Sequence, residues 1–302
     1  DQVNNLKKKN INAECIHSNH SKKEIDRILD NCIYGNVKLL YLSPERLKTT
    51  LFKERFKKMN VSFIAIDEAH CISQWGYDFR PSYLEIAELR TVNPEIPFIA
   101  LTATATPNVC SDIQNKLLFK KFNSITDSFY RENLTYSVVQ PINKFEYLLN
   151  ILKSKNDCTV IYVRTRRMCL TLYNILNKND ITSTIYHAGL DYEIRNTSQQ
   201  RWMNGEINVM IATSAFGMGI DKQNVRTVIN FDITESLESY YQEAGRAGRD
   251  NKKAQAILIV ENSDKTNLTN RVKKAYPKIE LIKAIYQKFC NLHQIAIGSG
   301  KD

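Results

Sequence analysis

The sequence predicts an α/β protein built as two domains, each a parallel sheet with helices on both faces, followed by a short helical extension. Three observations lead to this class. Short apolar runs of strand length alternate with amphipathic helical stretches, the pattern of strands buried on both faces. The runs form two sets, at 37–42, 63–66 and 98–101 and then at 159–163, 209–212, 225–231 and 256–260, separated by a polar stretch at 133–144 that holds Pro141. Finally, 302 residues with 43% hydrophobic content are enough to bury two cores. No internal repeat or low-complexity segment interrupts the pattern.

Taken in order, the first helical signal is a capping box, Ser21 with Glu24, ahead of the stripe Ile25, Ile28, Leu29, Cys32 and Ile33. The run KLLYL leads into SPERL at 43–47, where Arg46 either meets a phosphate or pairs with Glu45 or Glu54. The next run, SFIAI at 62–66, delivers Asp67 and Glu68 to the carboxyl end of a buried strand, where open α/β sheets bind ligands. Asp67 there can hold Mg²⁺, directly or through water, and Glu68 can orient or deprotonate a water that attacks a γ-phosphate. Two adjacent acids after a strand also describe a helix cap or a solvated turn. Behind them, Trp75, Tyr77 and Phe79 alternate with polar residues and Gly76 and lead into Arg80 and Pro81. Such a loop suits neither a helix interior nor a buried strand, whereas its rings and guanidinium suit bases and phosphates. An aromatic cluster packed beneath a loop is the plainer alternative. LTATAT at 101–106 then leads to Pro107, with Thr106 as cap of the next helix.

In the second half, IATSAFGMGIDKQNVR at 211–226 puts Thr213 and Ser214 just past a strand. SYYQEAGRAGRD at 239–250, if helical, sets Gln242, Arg246 and Arg249 on one face, with two guanidiniums aimed together at a phosphate. Gly245 and Gly248 weaken a helix by about 1 kcal/mol each relative to Ala, which a close backbone approach would explain. A surface helix with salt bridges is the alternative.

Forty-two Lys and Arg against 32 Asp and Glu give a formal charge of +10, which favours a polyanionic partner. No apolar run reaches membrane-spanning length and no signal-peptide pattern opens the chain. The expected location is therefore intracellular, cytoplasmic in a bacterium or nuclear in a eukaryote. The seven cysteines, Cys15, Cys32, Cys71, Cys110, Cys158, Cys169 and Cys290, are scattered without a CxxC pair. They indicate neither a disulfide framework nor a zinc site and read as small buried hydrophobes.

DEAHCISQWGYDFRPSY at 67–83 resembles motif II plus the aromatic-rich loop of RecQ-family DNA helicases, members of superfamily 2. LTATAT resembles motif III, 211–226 motif V and 239–250 motif VI, and SPERL, IYVRTRR at 161–167 and YHAGL at 186–190 fall in the family's order. The resemblance implies two RecA-like domains, at 1–137 and 138–264, with 265–302 as a helical connector. It implies ATP and Mg²⁺ as cofactors, the metal held with the nucleotide by Asp67, and single-stranded or branched DNA as partner, with no membrane role. The catalytic residues it implies are Asp67, Glu68, Gln242, Arg246 and Arg249. ATP would meet Asp67, His70, Thr102, Gly219, Asp221, Arg246 and Arg249. DNA would meet Arg46, Trp75, Phe79, Arg80, His187, Thr213 and Ser214, although a lone histidine such as His187 is more often a satisfied core residue. The implied activity is ATP-dependent 3′-to-5′ unwinding of DNA in repair and recombination, with the aromatic loop reporting the single strand to Glu68.

The chain departs from the family pattern in three places. It holds no P-loop: the Gly-Lys pair is Gly300-Lys301, with Ile295 where the first P-loop glycine belongs and Asp302 where Ser or Thr is required. The opening Asp1-Gln2 then reads as the remnant of motif Ia in an N-terminally truncated sequence, one expected to bind ATP poorly and to be inactive by itself. Tyr77 stands where many relatives have His. Only Cys290 and His293 occur where the family's zinc-binding subdomain should follow, so a zinc-free or missing C-terminal region is expected. Two alternatives remain, an RNA helicase of the DEAD or DEAH type and a non-catalytic nucleic-acid-binding module. The QWGYDFRP loop argues against the first, and the absent P-loop favours the second for this polypeptide.

Overall fold

The computed structural model of the protein describes residues 2–17, 19–75, 78–155, 157–217 and 220–293. They fall into two compact units, one drawn from Asp1–Leu134, Ala215–Asn224 and Glu235–Lys252, the other from Thr135–Ser214, Val225–Thr234 and Lys253–Asp302. The elements up to the junction are α1 (Gln2–Lys8), β1 (Ala13–Ile16), α2 (Lys22–Tyr34), β2 (Leu39–Leu42), α3 (Thr50–Phe56), β3 (Ile64–Ile66), α4 (Leu89–Val92), β4 (Phe98–Ala100) and α5 (Pro107–Lys116). Beyond it come β5 (Leu134–Val139), α6 (Lys144–Ser154), β6 (Thr159–Tyr162), α7 (Arg166–Lys178), β7 (Ser183–Tyr186), α8 (Tyr192–Met203), β8 (Val209–Ala212), β9 (Thr227–Asn230), α9 (Leu237–Ala244), β10 (Ala254–Ile259), α10 (Asn262–Ala275) and α11 (Ile279–His293).

In the first unit β1 pairs with β2 and β3 with β4, both in parallel. Leu29, Phe52, Phe56, Ile66, Ile72, Ile113 and Leu117 are buried in a common core there. The capping box forms as its spacing predicts: Ser21 N–H donates to Glu24 Oε2 (2.7 Å) and Glu24 N–H to Ser21 Oγ (3.3 Å). That fixes the start of α2, whose Ile25, Ile28 and Leu29 face inward. Thr106 likewise caps α5 by accepting from Val109 N–H, with Pro107 as its first residue.

The second unit carries a six-stranded sheet in the order β5-β10-β9-β6-β8-β7, in which β10, β9, β6, β8 and β7 pair in parallel. β6, β8 and β9 are buried at every position, which is why, Asn230 apart, their sequences are apolar or β-branched. Lys144 is buried at the start of α6, where its ammonium donates to Phe231 O (2.9 Å) and pairs with Asp264 (2.5 Å). A buried charge needs such partners, and through them the first turn of α10 is tied to the end of β9.

Several sequence expectations are corrected. β1 (AECI) and β7 (STIY) mix polar with apolar residues and gave no apolar run. The polar stretch at 133–144, expected to separate the domains, contains β5, an edge strand whose Tyr136 and Val138 stay exposed. Of the seven cysteines, Cys71, Cys169 and Cys290 are buried, whereas Cys15, Cys32, Cys110 and Cys158 are only partly so. No helix among the described residues is long and apolar enough to cross a membrane.

Candidate functional site

β3 and β4 end side by side, and their backbone ladder continues one step further through Leu101 N–H to Ile66 O (2.8 Å) and Ala69 N–H to Leu101 O (2.9 Å). This brings Asp67 and Glu68 beside Thr102. Glu68 sits in the left-handed region (φ 50°), unusual for a residue with a Cβ and a mark of local strain. Its carboxylate lies 3.4 Å from His70 Nδ1, which is also 3.0 Å from Thr102 Oγ1. Thr102 Oγ1 accepts in turn from Thr104 N–H (3.3 Å). His70 is 2% exposed, burial lowers its pKa and so favours the neutral ring, and it serves as a hydrogen-bonding link between the acids and the threonine turn. Tyr83, whose hydroxyl donates to Asp67 O (3.3 Å), is pushed up to about 12 by burial.

Burial, then the neighbouring Asp67 charge, raises the Glu68 pKa, while Arg246 and Arg80 act in the opposite sense. A carboxyl whose folded-state value is raised binds its proton more tightly when folded. Its ionised form therefore subtracts from stability above that value, and the penalty vanishes below the ordinary carboxylate range. The variant E68Q is expected to melt at a higher temperature than the native protein at neutral pH, with the two converging near pH 4. A gain of the same size at both pH values in thermal melts would show that burial of the charge is not its source.

The segment after His70 turns into the aromatic loop, and Trp75 is 80% exposed there. The loop is hung from α5. Ser73 Oγ, fully buried, donates to Asp112 Oδ2 (2.6 Å) and accepts from Trp75 N–H (3.2 Å). Lys116 pairs with Asp112 (3.1 Å), donates to Ile72 O (3.2 Å) and lies 5.7 Å from the centre of the Phe79 ring. Arg80 forms two hydrogen bonds to Asp78 Oδ2, at 3.0 and 2.6 Å. Ser73, Asp112 and Lys116 were not singled out from the sequence; the i, i+4 pair Asp112–Lys116 was the available signal. Gly76 and Tyr77 lie outside the described residues. Arg46 donates to His17 O (3.2 Å) and not to Glu45, which accepts from Ser82, or Glu54, which pairs with Lys57.

The same unit holds the segments 215–224 and 235–252. The expectation that Gln242, Arg246 and Arg249 share a helix face is corrected: α9 stops at Ala244, and both arginines stand in the turn that follows. Within that turn, Gly248 (φ 64°) and Asn251 (φ 61°) take left-handed conformations, and a Cβ on Gly245 would lie 2.9 Å from Tyr241 O. The arginines nevertheless converge on one loop. Arg246 Nη1 donates to Gly217 O (2.5 Å), and Arg249 Nη1 donates to Ile220 O (2.8 Å) and Asp221 Oδ1 (3.2 Å). Gly217 (φ 151°) has no room for a Cβ, because the Arg246 guanidinium occupies that space. Gly219 lies outside the described residues, as do Ile295, Gly300, Lys301 and Asp302.

These residues fit a magnesium nucleotide in chemistry. Mg²⁺ takes one or two carboxylates and fills its remaining positions with water and phosphate oxygens, and Asp67 is a carboxylate at a strand end. Arg246 Nε is buried without a hydrogen-bond partner, a donor that an anion would satisfy. Among the described residues no cluster of three or more His, Cys, Asp or Glu could hold a metal.

In the second unit the parallel register Tyr186↔Ala212 sets His187 beside Thr213, and Thr213 N–H donates to Tyr186 O (3.2 Å). Ser214 follows, exposed. β6 also ends at this edge, through Val163 N–H to Ala212 O (2.8 Å), and is followed by Arg164, Arg166 and Arg167. The Arg166 guanidinium fills the space that a Cβ on Gly189 would take. Burial, then the Arg166 charge, lowers the His187 pKa, and its Nδ1 is buried without a partner.

Comparison with known proteins agrees with this geometry. Residues 1–113 match the family described as DEAD/DEAH box helicase, and residues 143–251 match the helicase conserved C-terminal domain. The chain is 43% identical over 266 residues to the ATP-dependent DNA helicase RecQ of Bacillus subtilis, covering 87% of this chain and 45% of that protein. It is 40% identical to the RecQ protein of Haemophilus influenzae, covering 87% and 43%, and 38% identical to ATP-dependent DNA helicase Q1 of Pongo abelii, covering 90% and 44%. It thus spans less than half the length of these relatives. In fold it is similar to the helicase MrfA solved with DNA (TM-score 0.69, 16% identity, 89% of this chain and 42% of that one). It is similar as well to S. cerevisiae Dbp5 solved with RNA and ADP BeF3 (TM-score 0.66, 19% identity, 88% and 68%).

Proposed function

Since this chain belongs to the RecQ family of superfamily 2 helicases, we propose that it provides motifs II to VI of an ATP-dependent 3′-to-5′ DNA helicase that acts in repair and recombination. The observation that carries this reading is the single stretch joining the Glu68–His70–Thr102 link to the exposed ring of Trp75. Asp67 would hold Mg²⁺, which supplies neutralisation of charge on the phosphate oxygens. Glu68 orients and deprotonates the attacking water, His70 fixes the carboxylate against the threonine turn, and Arg246 and Arg249 approach the γ-phosphate. Gln242 belongs to the same catalytic set, and Asp221, which pairs with Arg249, to the nucleotide side. Trp75, Phe79 and Arg80 in the first unit, and His187, Thr213 and Ser214 in the second, take single-stranded or branched DNA, with Arg46 on a backbone phosphate. The domain bounds 1–137, 138–264 and 265–302 belong to the same proposal. We place the protein where chromosomal DNA is handled, the cytoplasm of a bacterium or the nucleus of a eukaryote.

DNA binding tests this directly. Single-stranded DNA is expected to bind with an affinity that falls steeply as salt rises, because phosphate contacts release counterions. Trp75→Ala removes a stacking surface and should weaken binding by about 1–3 kcal/mol without altering the salt slope, since no charge is lost. Arg80→Ala should flatten the slope by about 0.7 for its one phosphate contact. The readout is fluorescence anisotropy across a salt series. Equal affinities for the native protein and the Trp75 variant would make the ring a packing element, and an unchanged slope at Arg80 would assign that side chain to Asp78 alone.

A further inference from the structure

Just before β5, two side chains grip the turn that carries the arginines. Arg131 Nη2 donates to Gly248 O (2.7 Å) and Ala247 O (3.3 Å). Asn133 Nδ2 donates to the same Gly248 O (2.7 Å) and to Lys252 O (2.8 Å), and Asn133 Oδ1 accepts from Arg131 Nε (3.3 Å), so the two side chains brace each other. Two residues before Arg131, Phe129 O accepts from the Tyr241 hydroxyl (2.9 Å), and the Phe129 and Tyr241 rings meet edge-on at 5.7 Å. All of these residues belong to the first unit.

The turn has an irregular path to hold. It takes two left-handed residues, Gly248 and Asn251, within four positions, the first free of steric cost as a glycine and the second at a small cost for a residue with a Cβ. Gly248 O is the acceptor for Arg131, Asn133 and Asn251 N–H together, and Gly248 lies between Arg246 and Arg249 in sequence. A guanidinium donating to carbonyls forms charge-assisted bonds, stronger than neutral ones, and its planar fork reaches two carbonyls at once. Neither Arg131 nor Asn133 points to a ligand of its own: every bond described here ends on main chain or on the other member of the pair.

We propose that Arg131 and Asn133 are positioning residues for Arg246 and Arg249, acting through the main chain of 247–252. The proposal rests on the reading of those arginines as phosphate-facing groups. Two measurements separate it from that reading. In the 302-residue chain, hydrogen–deuterium exchange at the amides of 247–252 is expected to quicken in R131A and in N133A while α2 and the central strands β6, β8 and β9 keep native protection. In a protein in which a P-loop segment precedes residue 1, R131A is expected to lower kcat for ATP by about 10- to 100-fold with KM little changed, as a small misplacement of a reacting group does. R131K, which keeps the charge and one donor group, should recover part of the loss, and it serves in place of R131A should that variant not fold. Added to R249A, R131A should cause a smaller further loss than it does alone, the part that acts through Arg246. Unchanged exchange at 247–252, or a loss from R131A that is as large in the R249A background as alone, overturns the proposal. Normal turnover in R249A would instead overturn the arginine reading, and the exchange result then decides by itself whether Arg131 and Asn133 hold the turn.

Discussion

Alanine at Arg249, and separately at Arg246, is expected to lower ATP turnover by about 10³-fold or more, the effect of removing a guanidinium that stabilises charge on a transferring phosphoryl group. The structure supports an effect of this kind in its electrostatics as well as its geometry. Arg246 is held by a neutral carbonyl at Gly217, keeps one buried donor without a partner, and stands near enough to Glu68 to favour that carboxylate's ionised form. Arg249 is anchored on Ile220 O and shares its charge with Asp221. The two variants therefore need not be equal: Arg246 is the better candidate for the larger loss, because less of its charge is already compensated. Turnover is measured in the protein that carries a P-loop ahead of residue 1, and DNA affinity in the same preparations. Surviving turnover with collapsed DNA binding would turn both arginines into contacts to the nucleic-acid backbone.

Glu68→Gln in the same protein should lower turnover by about 10²–10⁴-fold while nucleotide binding persists, because the amide keeps the shape of the side chain but cannot take a proton from water. The strand-end position of Glu68, its raised pKa and its contact with His70, whose neutral ring burial favours, all bear on that role. A carboxylate with a pKa above the ordinary range is a better proton acceptor, and Asp67 beside it contributes to that shift. More than a few per cent of native turnover in the variant, with binding intact by a fluorescent nucleotide assay, would reject the role.

Much of this arrangement was legible along the chain, and the reason is locality. The cap pairs Ser21–Glu24 and Thr106–Val109 operate over three residues, and the runs at 159–163 and 209–212 are apolar because both faces of their strands are buried. Asp67, Glu68, His70 and Trp75 are spelled out within nine residues, so a linear motif was enough to find them. Where the local signal was mixed, the reading failed. The strand β5 reads as a polar domain boundary because at a sheet edge its residues alternate with exposed positions, and α9 gives way after Ala244 to a turn with left-handed Gly248 and Asn251 that no helical periodicity reveals.

The sequence by itself therefore determined the α/β class, the caps, the buried strands and the acid and aromatic motifs, since each depends on neighbours a few positions away. Only the tertiary structure decided which distant groups meet. His70 reaches Thr102 across 32 positions, Ser73 reaches Asp112 across 39, Arg246 reaches Gly217 across 29, and Arg131 reaches Gly248 across 117. The physical reason is that a hydrogen bond or a packed contact is set by distance in space, and parallel sheets with helical crossovers bring strand ends together from far apart in sequence, where periodicity and composition carry no record of the partner.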